Sequence, residues 1–178
     1  MKKKTVQIIL NLYSKIRKAI EPLMFNTFSD NLDYANGSWE QAKELDITRF
    51  SKYINTFPYL QDKAAGLFDM SFPPDKPDYF FSNLQNGRDC DDYARIWALY
   101  LQHHSWENIQ EVIVLNYTKP FETAHVITIA KNPSSGFFYL FNYEQYGNYE
   151  TAEEAIKDLV NWKSYDEDNL IYCIYKTY

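Results

Sequence analysis

The chain has 178 residues, of which 46% are hydrophobic and 18% aromatic, with only five glycines. That is long enough to bury a sizeable core, and too apolar and glycine-poor for a disordered or fibrous protein. A net charge of −6, with no Lys/Arg stripe interleaved with aromatics, argues against nucleic acid as a partner, and two cysteines, Cys90 and Cys173, make no disulfide framework for a chain of this size.

Met1-Lys2-Lys3-Lys4 resembles the charged start of an export signal. The apolar run behind it, Val6 to Leu10, is broken by Gln7 and followed by Asn11, Ser14, Lys15 and Arg17. It is too short and too charged for export or for membrane spanning, so a cytoplasmic protein without a membrane partner is expected. Residues 5 to 20 place Ile9, Leu12, Tyr13, Ile16 and Ile20 on one face of an amphipathic helix that Pro22 helps to end. Residues 23 to 38 are irregular in composition. Ser38-Trp39-Glu40-Gln41 fits a capping box, Asp46 caps a further helix with Phe50, Tyr53 and Ile54 inward, and turns of helix are expected between Tyr59 and Gly66. Pro73-Pro74-Asp75-Lys76-Pro77 is a stiff connection, and Asp78 is expected to cap a turn running to Leu84.

Asn86-Gly87 breaks the chain, and Asp89 is a good N-cap for a helix whose apolar face is Ala94, Trp97, Ala98 and Leu101. Cys90 then falls at the positive end of the helix dipole, where a thiol's pKa is expected to drop toward neutral. Its flanks, Arg88, Asp89, Asp91 and Asp92, are too polar for an apolar core. An Asp-Cys-Asp-Asp run on one helix is not expected to converge on an ion, so no metal or cofactor is assigned. His103 and His104 close the helix, about 20 Å from the thiol at helical rise.

The period then changes. Glu111 to Tyr117, Thr123 to Ala130 and Phe137 to Tyr143 are expected strands, with Asn132 to Gly136 as a hairpin loop. Thr151-Ala152-Glu153-Glu154 is a second capping box, opening a helix to about Asn161; a turn at Asp166 to Asn169 precedes a last strand, Leu170 to Lys176. Helices first, then an antiparallel sheet with one late helix, make an α+β fold. A single domain, 1–178, is expected, with a helical part to residue 75 and a core from residue 78. The many tyrosines and phenylalanines are expected mostly to pack rather than to line a groove.

A cysteine nucleophile needs a base, and the base needs an orienting partner. His103 and His104 are out of reach, which leaves His125. Pairing the hairpin about Pro133/Ser134 sets Asn142 opposite His125, where its amide oxygen can accept from the imidazole; a slip of one residue would substitute Phe141 or Tyr143.

Gly87-Arg88-Asp89-Cys90-Asp91-Asp92-Tyr93-Ala94, then Ala124-His125-Val126, then Tyr139-Leu140-Phe141-Asn142-Tyr143, resembles the transglutaminase-like cysteine protease superfamily over residues 78 to 146. Gly87 is one position further from the cysteine than that pattern usually has, and Asn142 stands where aspartate is commoner, although papain-like proteases use asparagine there. The resemblance implies a papain/transglutaminase-like core and acyl transfer at a carboxamide: Cys90 attacks, His125 is base and then acid, and Asn142 holds the ring. It also implies an oxyanion site made by the Cys90 N–H and an upstream side chain, with Gln85 the candidate and Tyr79 the fallback. A thiol hydrolase of a peptide or amide substrate is therefore expected. The alternatives are an inactive peptide- or glycan-binding module on the same fold, or a peptidoglycan amide hydrolase. Oligomeric state is not legible.

Overall fold

The computed structural model describes residues 2–25, 37–59, 72–82, 88–159 and 167–178. The expectations placed at Tyr59 to Gly66 (beyond Tyr59), Leu84, Gln85, Gly87, Asn161 and Asp166 lie outside these residues, as does most of 23 to 38. In chain order the elements are α1 (Lys3–Phe25), α2 (Trp39–Ala42), α3 (Ile47–Ile54), a 3₁₀ turn (Pro77–Phe81), α4 (Cys90–His103), β1 (Glu107–Asn116), α5 (Pro120–Thr123), β2 (His125–Lys131), β3 (Phe138–Phe141), β4 (Gln145–Tyr149), α6 (Ala152–Asp158), a 3₁₀ turn (Glu167–Asn169) and β5 (Leu170–Thr177). The five strands form one antiparallel sheet in the order β4-β3-β2-β1-β5. The α+β class is present.

Local signals place most helix starts. Asp46 accepts from the Arg49 N–H at 2.9 Å and Asp89 from the Asp91 N–H at 3.1 Å. Thr151 and Glu154 close a reciprocal capping box. Asp78 does not cap its own turn; its carboxylate accepts from the Trp39 N–H at 2.7 Å and ties the 3₁₀ turn to α2. α1 continues through Pro22 instead of stopping there. Glu21, just before the proline, is held by Arg95 and Lys176, which keeps that last turn docked. Thr123 belongs to α5 rather than to a strand, because its hydroxyl is taken up by the Asn116 N–H (2.9 Å) and the Lys119 carbonyl (2.8 Å). β2 therefore begins at His125. β4, a polar Gln-Tyr-Gly-Asn-Tyr edge with no apolar alternation, is not among the expected strands.

The sheet divides two cores. On one face Val112, Val114, Ile127, Ile129 and Leu140 pack on Ala155, Ile156 and Leu159 around α6. On the other lies α4, buried over nearly its whole length from Asp91 to Leu101. The Thr128 hydroxyl donates to the Ala94 carbonyl at 2.6 Å and pins α4 to β2. Phe50 stacks on Tyr100 (3.8 Å) and meets Trp97 edge-on (5.0 Å), which seats α3 on α4. Burying an aromatic of this size stabilises the fold by about 2–3 kcal/mol each.

α1 lies against β5 and α4 in an unusual orientation. Val6, Leu10, Ser14, Arg17 and Glu21 face inward, while Ile8, Ile9, Leu12, Ile16, Ile20 and Leu23 face outward. The stripe that an amphipathic helix ordinarily turns toward a core is here exposed. Ionic contacts decide this. Arg17 pairs with Asp91, and Glu21 pairs with Arg95 at 2.6 Å. Arg95, fully buried, also binds both oxygens of Glu111 and donates to the Phe72 carbonyl at 2.8 Å.

Candidate active site

Cys90 is the first residue of α4 and is half-buried. The residue two before it is clamped: Arg88 donates to the carbonyls of Phe80 and Ser82, and its guanidinium lies 4.6 Å over the Phe57 ring. Tyr93, one turn further on, donates to the Phe57 carbonyl at 2.8 Å. The start of α4 is thereby fixed against α3 and the first 3₁₀ turn.

The thiol lies beside β2, where the Val126 N–H supports it by hydrogen bonding. The neighbouring residue on that strand is His125, buried, whose Nε2 is 2.9 Å from the Asn142 Oδ1. Asn142 is also buried. It follows directly on β3, and the next residue, Tyr143, has its carbonyl held by the Asn55 amide at 2.9 Å. The N-terminal helices thus brace both stretches, α1 the start of α4 through Arg17 and Asp91, α3 the end of β3 through Asn55 and Tyr143.

The His125–Asn142 contact is present, but not through the expected register. β2 and β3 pair Thr128 with Phe141 and Ile129 with Leu140. Continued, that register sets Asn142 opposite Ile127, two residues along from His125. A shift of two keeps the same face of a strand, so the side chains still meet as diagonal neighbours. The hairpin itself closes one step later than drawn. Asn132 accepts from the Ser134 and Ser135 N–H groups, and Gly136 takes φ +75° before β3 begins.

The electrostatics of the thiol differ from expectation. Burial pushes Cys90 well above an ordinary thiol, and the Asp89 and Asp91 charges push the same way; the Val126 N–H and Arg17 oppose them. The helix start carries acids that cap it and favour its dipole, and those same acids disfavour a thiolate. Asp91 is held down at about 2: burial would raise it, but hydrogen bonding with Asp89 and the Arg17 charge outweigh that.

One carboxylate oxygen from each of Asp89, Asp91 and Asp92 lies within 4.8 Å of the others. The expectation that this run cannot converge is therefore corrected: the cap conformation of Asp89 folds its side chain back over the first turn. Asp89 is engaged with the Asp91 N–H and Asp91 with Arg17.

Of the expected oxyanion donors, Tyr79 is buried among the aromatic core at 3% exposure and Gln85 lies outside the described residues. The phenols whose ionisation responds to the Cys90 charge are Tyr59 and Tyr143. Their rings meet edge-on at 5.5 Å, their hydroxyls are hydrogen-bonded to each other, and Tyr143 in turn meets Tyr93 at 4.9 Å. Burial, then Cys90, raises Tyr59 to about 12, so it remains a donor at neutral pH. Sequence reasoning missed this pair; Tyr143 directly follows Asn142, which was the available signal. His103 and His104 are at the far end of α4, with His104 on the Lys43 carbonyl at 2.9 Å.

No protein-family model and no curated protein matches the chain. Among solved structures it is similar to Legionella pneumophila LapG in an EGTA-treated form, with TM-score 0.42 and 14% identity over 87% of this chain and 77% of that one. A second structure of Legionella pneumophila LapG gives TM-score 0.38 and 14% identity over 80% and 71%. Likenesses at this level carry no argument about chemistry.

Proposed function

We propose that the protein is a thiol hydrolase acting on an amide or peptide bond, a cysteine peptidase or amidase of transglutaminase-like type. The observation that supports this is a half-buried thiol at a helix start, hydrogen-bonded by the Val126 N–H, with the preceding strand residue, His125, in a hydrogen bond with Asn142. Cys90 attacks the carbonyl carbon as His125 takes the thiol proton, and the pair forms a tetrahedral oxyanion. The imidazolium then gives that proton to the departing amine, leaving a thioester, which water attacks with His125 again as base. The Cys90 N–H, at the head of α4, is one oxyanion donor, and Tyr59 or Tyr143, whose phenols feel the Cys90 charge, supplies the side-chain donor.

Because burial and two carboxylates hold the thiol neutral at rest, His125 acts as a general base at the moment of attack, not as the partner of a standing thiolate. Iodoacetamide alkylation of the native protein, followed across pH with peptide mass readout, tests this. In the wild type the imidazole assists at neutral pH. In His125→Ala, Cys90 labelling should fall at least about tenfold near pH 7 and recover only in strong alkali, where the raised thiol ionises. Equal labelling in both proteins sinks the base assignment and favours the competing reading, a binding module on the Tyr59/Tyr143 surface, which the carboxylates crowding the thiol also suit. Cys173, half-buried in β5 and hydrogen-bonded to Ser14, is the internal reference and should label slowly in both.

Asn142 is a positioning residue in this scheme. His125→Ala should cost about 10²–10⁴-fold in kcat/KM on a peptide amide. Asn142→Ala should cost less, since a neutral amide fixes the tautomer without stabilising the imidazolium. Equal losses would remove the orienting role.

A further inference from the structure

Among the described residues, α1 turns a long apolar stripe outward. Leu12 is 57% exposed, Ile16 51% and Leu23 70%; Ile9, Leu12, Ile16, Ile20 and Leu23 follow one another at three- and four-residue steps, with exposed Ile8 beside them. Rotating the helix to bury them would pull Arg17 from Asp91 and Glu21 from Arg95, leaving buried charges unpaired. The orientation is therefore built in, and a chain that spends ion pairs to point isoleucines at solvent has something to cover them.

The charge around the stripe selects the occupant. The protein is acidic, at −6, yet α1 and the residues before it hold Lys2, Lys3, Lys4, Lys15, Arg17 and Lys18 against a single acid, Glu21, which is buried. Lys2, Lys3, Lys4, Lys15 and Lys18 are exposed. A second copy would bring the same lysines face to face, whereas an anionic bilayer surface matches both the apolar stripe and its basic border. No helix of the described residues is long and apolar enough to cross a membrane, which suits a helix lying in the interface.

We infer that α1 docks the protein on an anionic phospholipid surface, with Ile9, Leu12, Ile16, Ile20 and Leu23 entering the headgroup boundary and the lysines meeting lipid phosphates. The bond to the membrane is non-covalent, and it leaves the Arg17–Asp91 and Glu21–Arg95 pairs in place. The sequence expectation of no membrane partner rested on spanning and export, and a helix lying flat needs neither.

Vesicle flotation of the full chain tests this without reference to catalysis. The wild type should float with phosphatidylcholine vesicles doped with phosphatidylglycerol and stay down with phosphatidylcholine alone. Leu12→Glu/Ile16→Glu should lower partitioning by at least about tenfold. Lys4→Gln/Lys15→Gln should lower it roughly 10- to 30-fold. All these positions are exposed, and far-UV circular dichroism and Tm check that each variant folds. No flotation of the wild type, equal flotation with both vesicles, or flotation undiminished in the glutamate variant overturns the inference. So does a dimer by light scattering that the glutamate variant dissolves while no vesicle binds, which would make a second copy the occupant.

Discussion

Cys90→Ala should leave no measurable amide hydrolysis, a loss of about 10⁴-fold or more, while changing stability by less than about 1 kcal/mol. The proposed chemistry loses its nucleophile. The fold loses little, because only one sulfur atom is removed and the helix start is held by other groups: the Asp89 cap, Arg88 on the Phe80 and Ser82 carbonyls, and Tyr93 on the Phe57 carbonyl. Turnover of a panel of peptide amides and isopeptides, run beside thermal denaturation of the same preparations, separates the two effects. Retained hydrolysis would place the chemistry elsewhere. A large drop in Tm with no other cause would make Cys90 a packing residue, and the hydrolase reading would lose its basis.

Arg95→Ala should be the most destabilising single change, by about 3–5 kcal/mol. The guanidinium is wholly buried and joins α4 to β1 through Glu111, to α1 through Glu21 and to the Phe72 carbonyl; Tyr178 donates to Glu111 from the other side. Removing it takes the guanidinium from two buried carboxylates, leaving Glu111 with Tyr178 and Glu21 with the longer Lys176 pair at 3.4 Å. At this chain length the loss corresponds to a Tm lower by roughly 10 °C. The pH dependence provides a second readout. Burial works to raise Glu21, but the Arg95 charge prevails and its folded pKa lies below the ordinary value of 4.5. A depressed carboxylate contributes stability that is present above its unfolded pKa and lost as acid carries it through the folded one. The wild type should therefore weaken as pH falls below 4.5. In Arg95→Ala the buried Glu21 prefers its proton, so the variant should gain stability from pH 7 toward pH 5, the opposite slope. Urea denaturation at those pH values distinguishes the two. A variant with the wild-type slope would mean that Glu21 finds its charge partner in Lys176 alone.

The helix carrying Cys90 was legible because everything that starts it is local. Asp89 caps within two residues, and Ala94, Trp97, Ala98 and Leu101 repeat at helical spacing and are buried. The Thr151–Glu154 box is the same kind of signal. β4 was not legible, since Gln145-Tyr146-Gly147-Asn148-Tyr149 has neither alternation nor β-branched residues. Its strand form comes from pairing with β3 and from the Tyr149 hydroxyl on Asp158 of α6. The His125–Asn142 contact was foreseen through a register two residues out, and it survived because strand faces repeat every second residue.

The sequence by itself determined the class of fold, the helix that presents Cys90 and the face shared by His125 and Asn142, because capping, periodicity and hairpin parity all act over a few residues. Tertiary structure decided which way α1 turns and how readily the thiol ionises. The first depends on Asp91 and Arg95, each 74 positions from its partner in α1, whose buried pairing outweighs the pull of an apolar stripe. The second depends on how deeply Cys90 is enclosed and on where two carboxylates come to rest, and neither burial nor the sum of nearby charges is written in the spacing of residues along a chain.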